Sequence, residues 1–510
     1  MSQTDTKREP VILRAEDQLL DIPNRTIVEI LIENARDRAD HPFIEFIPRS
    51  DGRDGEPVRI TYAQFERRVR AMAAKLAEHG AGRGDTVAIL MENSPEWLTI
   101  FFAVLGLGGR VVPVNYDFTA EEAEYYVKHA EVRLLVCDDA HRAVADEVAG
   151  RCPDLHRVLS IDDDPPRDED ADRVEGFGVE IDPEEIALIM YTSGTSTGRP
   201  KGVMMTHRNL YIGPAEFSRV LGVVPEDRIL FVTPLFHANA LQYACLSALI
   251  HGATAQMVQR FSASRFWSDV ERLKPSVLWT MGGIVAILMS QPETEEEIAA
   301  RRHLRVMFGA GIANQFEQAL QRITGVLMDC YGLTESAGGT YTPIDGSHVI
   351  DMESPAVGLP LRHTEIGIMD DDDNLLGYDE VGEIVFHDLG GNIMAGYLSD
   401  DEAQADAVRD GWFHTGDLGK VSSETGFLHF VDRKKDIVRR GGENISSQEI
   451  EGIAREHPAV GDCAVVPAPD RVLGEIVKAY VIPSEGEVDV EDLLEFMRQR
   501  LAKQKVPEIV

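Results

Sequence analysis

Cysteine is scarce in this chain, and no two cysteines form a C-x-x-C pair. An odd number of widely spaced cysteines is unsuited to a disulfide framework or to a zinc site built from paired thiolates. We therefore expect neither, and free thiols fit a reducing compartment. The five cysteines are Cys137, Cys152, Cys245, Cys330 and Cys463.

Basic side chains are also in short supply. The 50 lysines and arginines are outnumbered by 87 acidic residues, which gives a formal net charge of −37. DNA and anionic membranes both require a basic footprint, so neither nucleic acid nor a membrane surface is expected as the main partner. Only 11 of the basic residues are lysines. We interpret this acidic, arginine-rich composition as favouring solubility.

Long hydrophobic runs are missing as well. The longest, around Leu98–Leu107, is interrupted by glycines and followed by Arg110, and it is too short to span a bilayer. The first ten residues lack the apolar core of a signal peptide. We therefore expect no membrane span and a cytoplasmic location.

The chain does contain enough apolar residues for a substantial core. It has 510 residues, and 44% of them are hydrophobic, which excludes a disordered chain. At about 150 residues per domain, this length predicts three folding units, or one large multilayer domain with a smaller one attached.

The first part of the chain alternates helices and strands. Apolar residues recur at helical spacing over residues 62–79, where Thr61 can cap the start. A strand over Thr86–Met91, an apolar helix from about Glu96 and a strand over Arg110–Val114 follow. This alternation predicts a mostly parallel α/β sheet.

Later segments differ in composition. The acidic stretch Asp162–Gly178 is predicted to be an exposed loop, and Asp370–Asp373 an acidic turn between two strands. Short apolar runs between Gly358 and Phe430 indicate smaller antiparallel strands. No internal repeat is recognisable.

The last 79 residues have an α+β pattern. Helices are predicted over Ser447–Glu456 and Val490–Leu501, and strands over Ala464–Val466 and Val477–Ile482. The predicted fold is therefore α/β, with a large N-terminal domain of parallel-type sheets and helices that includes a small β subdomain. A small α+β C-terminal domain follows it. We place the boundary between residues 1–431 and 432–510.

The most informative segment is Ile186–Val203, in which an apolar strand runs into a loop of glycines and hydroxylated residues that ends in Pro-Lys-Gly. Converging backbone N–H groups, hydroxyls and Lys201 would form a phosphate cradle. The loop does not match the Walker pattern. It formally matches the G-x-S-x-G elbow of serine hydrolases, although Arg199-Pro200 disfavours the helix that such an elbow requires. A plain surface loop is a third interpretation.

Further motifs follow in a fixed order. They are Pro234-Leu235-Phe236-His237, Tyr331-Gly332-Leu333-Thr334-Glu335-Ser336, Gly382-Glu383-Ile384, Gly396-Tyr397, Gly411-Trp412-Phe413-His414-Thr415-Gly416-Asp417, Asp432-Arg433-Lys434-Lys435-Asp436 and Arg440-Gly441-Gly442-Glu443-Asn444-Ile445-Ser446. With the glycine-rich loop, they resemble the AMP-forming adenylating enzymes, which include acyl-CoA synthetases, luciferases and the adenylation domains of peptide synthetases. The resemblance extends from about Ile60 to the end of the chain.

The resemblance implies a two-step reaction. ATP activates a carboxylic acid as an acyl-adenylate with release of pyrophosphate, and the acyl group then passes to coenzyme A. The implied cofactors and co-substrates are ATP, Mg²⁺ and coenzyme A. Both reactants of the first step are anionic, so catalysis should depend on positioning and charge neutralisation.

The resemblance also implies roles for individual residues. Catalytic positions are Thr334, Glu335, His237 and Arg433, and Glu335 would bind Mg²⁺, a cation that prefers oxygen ligands. Positions for ATP and AMP are Thr192, Ser193, Gly194, Thr195, Ser196, Thr197, Gly198, Lys201, Gly309, Ala310, Gly311, Asp329, Cys330, Tyr331, Asp417 and Arg433. Taken alone, most of these residues fit structural roles, and His237 fits a buried structural histidine equally well.

Three more groups of residues complete the implied site. The small domain is implied to rotate about a hinge at Asp432 and Lys435. The coenzyme A channel would involve Arg439, Arg440, Gly441, Gly442 and Glu443. The acyl pocket would involve His237, Met281, Gly282, Gly283, Gly332 and Gly338. If these glycines leave room, an aryl or medium-sized acid would fit, but the same glycines could serve tight packing.

Two departures from the family pattern matter. The glycine-rich loop is one residue longer than the common form, with Ser196 or Thr197 as the extra residue. The sequence also ends at Val510 without the glycine-flanked lysine that relatives use in adenylation, either because it is truncated or because the natural protein lacks this residue. We therefore expect this chain to adenylate slowly, since the loss of one well-placed charge can cost on the order of a hundredfold.

Several alternatives stay open at this point. Relatives activate other oxyanions, load carrier proteins, form amides or use nitrite for diazotisation, and a weakly catalytic adenylate-binding protein is another interpretation. The partner is expected to be a small-molecule acid. A homodimer is an assembly state found among relatives, although no interface pattern is recognisable here.

Overall fold

The structure is a computed structural model. It describes residues 9–15, 25–50, 53–174, 176–178, 180–192, 200–312, 319, 322–323, 326–336, 338–343, 356–434, 436–440, 443–470, 473–484, 486–501 and 503–510.

Helices occur throughout the described chain. The α-helices are α1 Ile27–Asp37, α2 Tyr62–Glu78, α3 Pro95–Gly106, α4 Ala120–His129, α5 Arg142–Arg151, α6 His207–Val220, α7 Ser247–His251, α8 Phe266–Leu273, α9 Gly282–Ser290, α10 Glu295–Ala300, α11 Asp401–Ala407, α12 Ser447–Arg455 and α13 Val490–Arg498. A π-helical segment, Asn239–Leu246, leads into α7. Short 3₁₀ segments lie at Asp139–His141, Asp168–Arg173, Arg301–His303 and Lys503–Lys505.

Strands alternate with these helices. They are β1 Ile12–Leu13, β2 Pro42–Ile47, β3 Arg49–Ser50, β4 Arg53–Asp54, β5 Val58–Thr61, β6 Thr86–Leu90, β7 Arg110–Pro113, β8 Leu134–Cys137, β9 Arg157–Ser160, β10 Ile186–Thr192, β11 Lys201–Thr206, β12 Arg228–Phe231, β13 Thr254–Val258, β14 Val277–Met281, β15 Val306–Ala310, β16 Leu327–Tyr331, β17 Thr340–Tyr341, β18 Ala356–Pro360, β19 Thr364–Met369, β20 Gly382–Asp388, β21 Gly396–Tyr397, β22 Val408–Arg409, β23 Trp412–Val421, β24 Leu428–Arg433, β25 Val438–Arg440, β26 Glu443–Ile445, β27 Val460–Asp470 and β28 Gly474–Pro483.

Two large sheets form the frame of residues 9–434. The first has the order β1-β19-β20-β23-β24-β18-β17-β16-β15-β14-β12-β13-β2-β5, with β22 attached to β23. Strands β2, β13, β12, β14, β15 and β16 pair in parallel within it. The pairings of its strands β17, β18, β19, β20, β23 and β24 are antiparallel. The second sheet has the order β21-β11-β10-β7-β6-β8-β9 and is parallel from β10 to β9. The predicted α/β fold with a smaller β region is confirmed.

Local sequence explains where the helices begin. Thr61 caps α2 with a reciprocal pair of bonds, because its Oγ1 accepts from Gln64 N at 3.3 Å and its N donates to Gln64 Oε1 at 3.0 Å. Ser94 caps α3, and Pro95 occupies the first turn, where a missing N–H costs nothing. Helix α3 is apolar on almost every side and lies in a core that also contains residues of both large sheets.

The predicted exposed loop at Asp162–Gly178 is wrong in part. Residues Asp168–Arg173 form a 3₁₀ turn, and Asp170 is buried beneath Arg167 and Arg173. Phe177 is also buried, and a Cβ at Gly106 would collide with its ring. The acidic composition predicted exposure, but the aspartates pair with arginines and not only with water, so part of the stretch is buried.

The last part of the chain forms a small α+β unit. Its sheet has the order β26-β25-β28-β27, and α12 and α13 share a core with it, which includes Ile450, Val477 and Leu493. Strand β24 of the first sheet extends to Arg433, two residues beyond the boundary we placed after residue 431. The division into 1–431 and 432–510 stays a prediction.

Candidate active site

Many of the predicted site residues lie where parallel strands end. Thr192 ends β10, Met281 ends β14, Ala310 ends β15 and Tyr331 ends β16. Ligands of open α/β sheets bind at this carboxyl edge. The fold therefore gathers residues that are far apart in the sequence.

The glycine-rich loop connects two paired strands. Thr192 at the end of β10 lies opposite Lys201 at the start of β11 in an antiparallel ladder. The hydroxyl of Tyr125 on α4 donates to Pro200 O at 2.9 Å. The predicted phosphate ligands Ser193, Gly194, Thr195, Ser196, Thr197 and Gly198 lie outside the described residues. The Lys201 ammonium lies 4.7 Å from the centre of the Tyr397 ring.

Glu335, the predicted magnesium ligand, lies in the turn after β16 next to Thr334. The Tyr397 hydroxyl donates to Glu335 Oε1 at 2.9 Å, and Met394 N donates to the Glu335 carbonyl at 2.8 Å. Among the described residues, no group of three His, Cys, Asp or Glu side chains could hold a metal. A single carboxylate nevertheless fits Mg²⁺ well, because this ion is commonly bound by one or two carboxylates together with substrate phosphates.

The predicted ATP and AMP positions at residues 309–311 form a tight backbone turn at the end of β15. Gly309 and Ala310 pair with Asp329 and Cys330 across β15 and β16, and a Cβ at Gly309 would lie 2.3 Å from Thr280 O. The buried Asp329 accepts from Ile312 N through Oδ2 at 3.0 Å. Asp329 therefore holds the turn around Gly311, whose φ is +69°.

Cys330 is not suited to nucleophilic chemistry. It is buried in β16, and burial raises the pKa of its thiol well above the usual value. A protonated thiol is a poor nucleophile. Cys330 is therefore excluded as a nucleophile, and its predicted contact with AMP stays a prediction.

Tyr331, Asp417 and Arg433 meet although they are far apart in sequence. The Tyr331 hydroxyl donates to Asp417 Oδ2 at 2.8 Å, and Arg433 Nε lies 3.6 Å from Asp417 Oδ1. Burial raises the pKa of Asp417. Tyr331 and Arg433 lower this pKa, but the effect of burial is larger. Glu335 is close enough to raise the pKa of Asp417 further. The result is a buried acceptor close to Glu335, the predicted magnesium ligand.

His237 ends the turn at Leu235–Phe236, where its N donates to Pro234 O at 3.1 Å, and the π-helical segment follows. Its ring packs against Phe236 with centres 4.4 Å apart, and one side of the residue is exposed. Desolvation by the surrounding protein lowers the pKa of the His237 imidazole, which favours the neutral form near pH 7. The alternative of a fully buried structural histidine is wrong.

Two of the four predicted acyl-pocket glycines, Gly282 and Gly338, are packed tightly. A Cβ at Gly282 would lie 1.8 Å from Gly311 O, and one at Gly338 would lie 2.5 Å from Phe217 Cε2. At Gly332 the nearest atom would be Gly338 Cα at 3.5 Å. Only around Gly283 does no atom of the described residues lie within 4 Å of an added Cβ. Exposed Met281 precedes these glycines, and its sulfur lies 3.0 Å from Asn239 Nδ2.

An aromatic group closes the space behind Gly338. Trp279 lies 4.1 Å from Phe308 and 5.5 Å from Tyr243, measured between ring centres, and Phe217 contacts all three rings. At Gly338 the tight-packing alternative is therefore supported, since Phe217 already fills that space.

The predicted hinge residue Asp432 is buried at the end of β24. Its Oδ2 accepts from Ser446 Oγ at 2.9 Å, Ser447 N at 2.7 Å and Gln448 N at 3.3 Å. It therefore holds the start of α12 and joins the small unit to the large sheet. The other predicted hinge residue, Lys435, lies outside the described residues.

The predicted coenzyme A channel is described only in part. Arg440 in β25 donates through Nε to Glu508 Oε1 at 2.7 Å. Arg439 and Glu443 lie in paired strands, but their side chains are outside the described part of the chain, as are Gly441 and Gly442.

Comparison with protein families decides the identity. Residues 31–398 match the AMP-binding enzyme family, and residues 449–510 match the AMP-binding enzyme C-terminal domain. The chain belongs to the AMP-binding enzyme family.

Relatives within the AMP-binding enzyme family are CoA ligases. The chain is 34% identical to feruloyl-CoA synthase of an Amycolatopsis species over 454 residues, which cover 88% of this chain and 89% of that one. It is 31% identical to crotonobetaine/carnitine–CoA ligase of Salmonella arizonae over 474 residues, 89% of each chain.

Solved structures of AMP-binding enzymes have the same fold. ATP-bound MatB from Rhodopseudomonas palustris superposes with a TM-score of 0.83 at 27% identity, covering 95% of this chain and 94% of that one. o-Succinylbenzoate CoA synthetase from Bacillus subtilis, in complex with its acyl-adenylate, gives 0.80 at 27% identity over 95% and 94% of the chains.

These matches confirm several predictions for this AMP-binding enzyme. The adenylate-forming superfamily, the AMP-forming acid–thiol ligase activity and the use of ATP and coenzyme A are confirmed. A small-molecule acid as substrate is also supported. No helix among the described residues is long and apolar enough to cross a membrane.

Two polar side chains at the site received no role from sequence reasoning. Tyr397 contacts both Glu335 and Lys201. Glu383 is buried, accepts from Gly416 N at 3.0 Å and lies 3.3 Å from Lys434 Nζ next to the hinge. Tyr397 belongs to the motif Gly396-Tyr397, and Glu383 belongs to the motif that begins Gly382-Glu383. Membership of these motifs is the sequence feature that could have indicated a role at the site.

Proposed function

We propose that this chain activates a small carboxylic acid at the site formed by Glu335, Tyr331 and Asp417 and then transfers the acyl group to coenzyme A. The observation that carries the proposal is the buried Asp417 carboxylate. Tyr331 and Arg433 contact it, and the charge of Glu335 is close enough to raise its pKa. Such a carboxylate is suited to accept hydrogen bonds from ribose hydroxyls.

The first half-reaction joins two anions. The acid carboxylate attacks the α-phosphate of ATP, a bond forms between its oxygen and phosphorus, and pyrophosphate leaves with the electrons of the broken P–O bond. Lys201 would neutralise the phosphates, and Arg433 would neutralise charge near the ribose. Glu335 would hold Mg²⁺, which supplies further charge stabilisation when bound. Thr334 would donate its hydroxyl to the α-phosphate.

The neighbouring backbone would form the nucleotide surface. The turn at residues 309–311, held by Asp329, would lie along the adenine, and the Tyr331 ring would cover one face of the base. Thr192 and the glycine-rich loop that follows would hold the β- and γ-phosphates through backbone N–H groups.

The second half-reaction requires a different set of residues. The thiol of coenzyme A loses its proton and attacks the acyl carbon, a C–S bond forms, and AMP leaves with the electrons of the broken C–O bond. Rotation of the small domain about Asp432 and Lys435 would bring the loop at residues 439–443 to the site. Arg440 and its partner Glu508 both lie in the small domain and would move together.

The acid would enter between His237, Met281 and Gly283. Exposed Met281 and the open space at Gly283 lie at the start of α9, and the aromatic group around Trp279 closes the inner end. A short or flat acid suits this shape better than a long chain.

Pyrophosphate release from MgATP tests the proposal. A panel of aryl, short-chain and medium-chain acids is measured, with nitrite included, and each active compound is then tested with coenzyme A. Product mass distinguishes a thioester from an amide, a carrier-bound acyl group or a diazo product. Absence of any CoA thioester across the panel would count against the proposal.

A variant pair tests the nucleotide site. Asp417→Ala removes the acceptor and should raise the KM for ATP about tenfold or more, because a hydrogen bond to a charged group contributes about 1.5–3 kcal/mol. Asp372→Asn, in an exposed turn, is the matched control and should leave KM unchanged. Equal KM values for both variants would contradict the role of Asp417.

Two further expectations remain predictions. A homodimer is tested by sedimentation velocity, and a cytoplasmic location is tested by fractionation of the producing cell.

A further inference from the structure

A short stretch, residues 393–398, is bonded to both halves of the active site. Towards the first large sheet, Ile393 bridges Ser336, and Met394 N donates to the Glu335 carbonyl at 2.8 Å. Towards the second sheet, Ala395 N donates to Met204 O at 2.9 Å. The stretch therefore joins the Glu335 turn to β11.

The pairing with β11 continues to its first residues. Val203 lies opposite Tyr397 in the antiparallel ladder, and Leu398 N donates to Gly202 O at 2.8 Å. These contacts are next to Lys201, which begins β11. The same six residues thus hold the Glu335 turn and the end of the glycine-rich loop.

Tyr397 is the side chain of this stretch that contacts both functional groups. Its hydroxyl donates to Glu335 Oε1 at 2.9 Å, and its ring face lies 4.7 Å from the Lys201 ammonium. The residue is buried, and its own N donates to Gln404 Oε1 at 3.2 Å. Its position is therefore fixed from both the backbone and the side chain.

We propose that Tyr397 is a positioning residue that sets Glu335 and Lys201 relative to each other for MgATP. This inference rests on the proposed roles of Glu335 in binding Mg²⁺ and of Lys201 in binding phosphate. The hydroxyl occupies Oε1 and orients the carboxylate so that Oε2 stays available to the metal. The ring face attracts the ammonium and restricts where a flexible lysine can place its charge.

The two contacts can be removed separately. Tyr397→Phe deletes the hydroxyl and keeps the ring face. Partners behind a metal ligand affect metal affinity about 10- to 100-fold, so the Mg²⁺ concentration for half-maximal nucleotide binding should rise about tenfold. Metal-free nucleotide affinity should stay unchanged in this variant. Tyr397→Leu removes both contacts and should also weaken metal-free binding about threefold.

The measurement is calorimetric titration of the full chain with the α,β-methylene analogue of ATP, with and without Mg²⁺. This analogue cannot release pyrophosphate, so the readout is binding and not turnover. Tyr62→Phe is the matched control, because Tyr62 is also buried and its hydroxyl donates to Ala253 O at 2.8 Å in the core. It should change neither titration.

Glu335→Gln distinguishes the positioning role of Tyr397 from the proposed role of Glu335 in binding Mg²⁺. If Glu335→Gln leaves the Mg²⁺ requirement unchanged, the metal role of Glu335 is wrong and the inference falls with it. If Glu335→Gln raises the requirement while Tyr397→Phe does not, only the role of Tyr397 is overturned. Where one Tyr397 variant fails to fold, the other decides, since both lack the hydroxyl.

Discussion

Replacing Gly338 with alanine gives a sharp test of how the inner end of the acyl site is packed. The new Cβ would lie 2.5 Å from Phe217 Cε2, 2.7 Å from Leu361 Cδ1 and 2.9 Å from Phe217 Cζ. Favourable carbon contacts are about 3.5–4.0 Å, so each is too short by roughly 1 Å. Overpacking of this kind costs about 1–3 kcal/mol.

The backbone adds a second cost. Gly338 has a φ of +130°, a conformation that alanine adopts only with strain of about 1–3 kcal/mol. Together, the two effects should lower the free energy of unfolding by about 2–6 kcal/mol. Phe217 must also shift, so the KM for the acid should rise.

Gly283→Ala is the control for this prediction. No atom of the described residues lies within 4 Å of its added Cβ, and Gly283 lies in the first turn of α9. Alanine there should leave the thermal midpoint unchanged or raise it slightly, because alanine favours a helix over glycine by about 1 kcal/mol. Thermal unfolding of both variants is compared with that of the parent. If the thermal midpoint of Gly338→Ala equals the parent's, the packing argument is wrong. If Gly338→Ala and Gly283→Ala lower the midpoint equally, the cost does not depend on the position of the glycine.

Two further variants test the ion pairs and caps around the hinge. Burial alone would raise the pKa of Glu383, but His414, Lys434 and Gly416 N lower it to about 2 from its ordinary 4.5. The Glu383 carboxylate should therefore stabilise the fold by about 3 kcal/mol above pH 4.5. This stabilisation should be lost as the pH falls towards 2. The thermal midpoint of Glu383→Gln should therefore be well below the parent's at pH 7 and approach it at acidic pH, and a gap that does not narrow with acid contradicts the assignment. Asp432→Ala removes the acceptor at the start of α12 and should lower the free energy of unfolding by about 2 kcal/mol. Amide hydrogen exchange across residues 447–455 should become faster. Unchanged exchange there would mean that the cap does not stabilise α12.

Local patterns in the sequence were sufficient to predict much of the fold. Helix α2 follows from apolar spacing and the Thr61 cap, and the parallel sheets follow from the alternation of strands and helices. The order of the motifs led to the family, and the family match confirms it. Each of these features depends on neighbours in sequence, which is why sequence reasoning reached them.

Features that depend on tertiary neighbours were missed. Whether Gly338 opens or fills a site depends on Phe217, which is more than a hundred residues away in the sequence. The partner of Tyr397 is Glu335, 62 residues earlier. The acidic stretch at Asp168–Arg173 was predicted to be exposed because its arginine partners, which include Arg67 on α2, are not apparent from its composition.

The aromatic group behind Gly338 has an optical consequence. The chain has four tryptophans, and Trp279 is fully buried 5.5 Å from Tyr243, whose hydroxyl donates to Ser336 O at 3.3 Å. Tyr243 is close enough to transfer excitation to Trp279, and it is bonded to the residue after Glu335. We therefore expect emission from Trp279 to change when the turn that holds the proposed metal ligand moves. A variant that keeps Trp279 as its one tryptophan would isolate this signal from that of the other three.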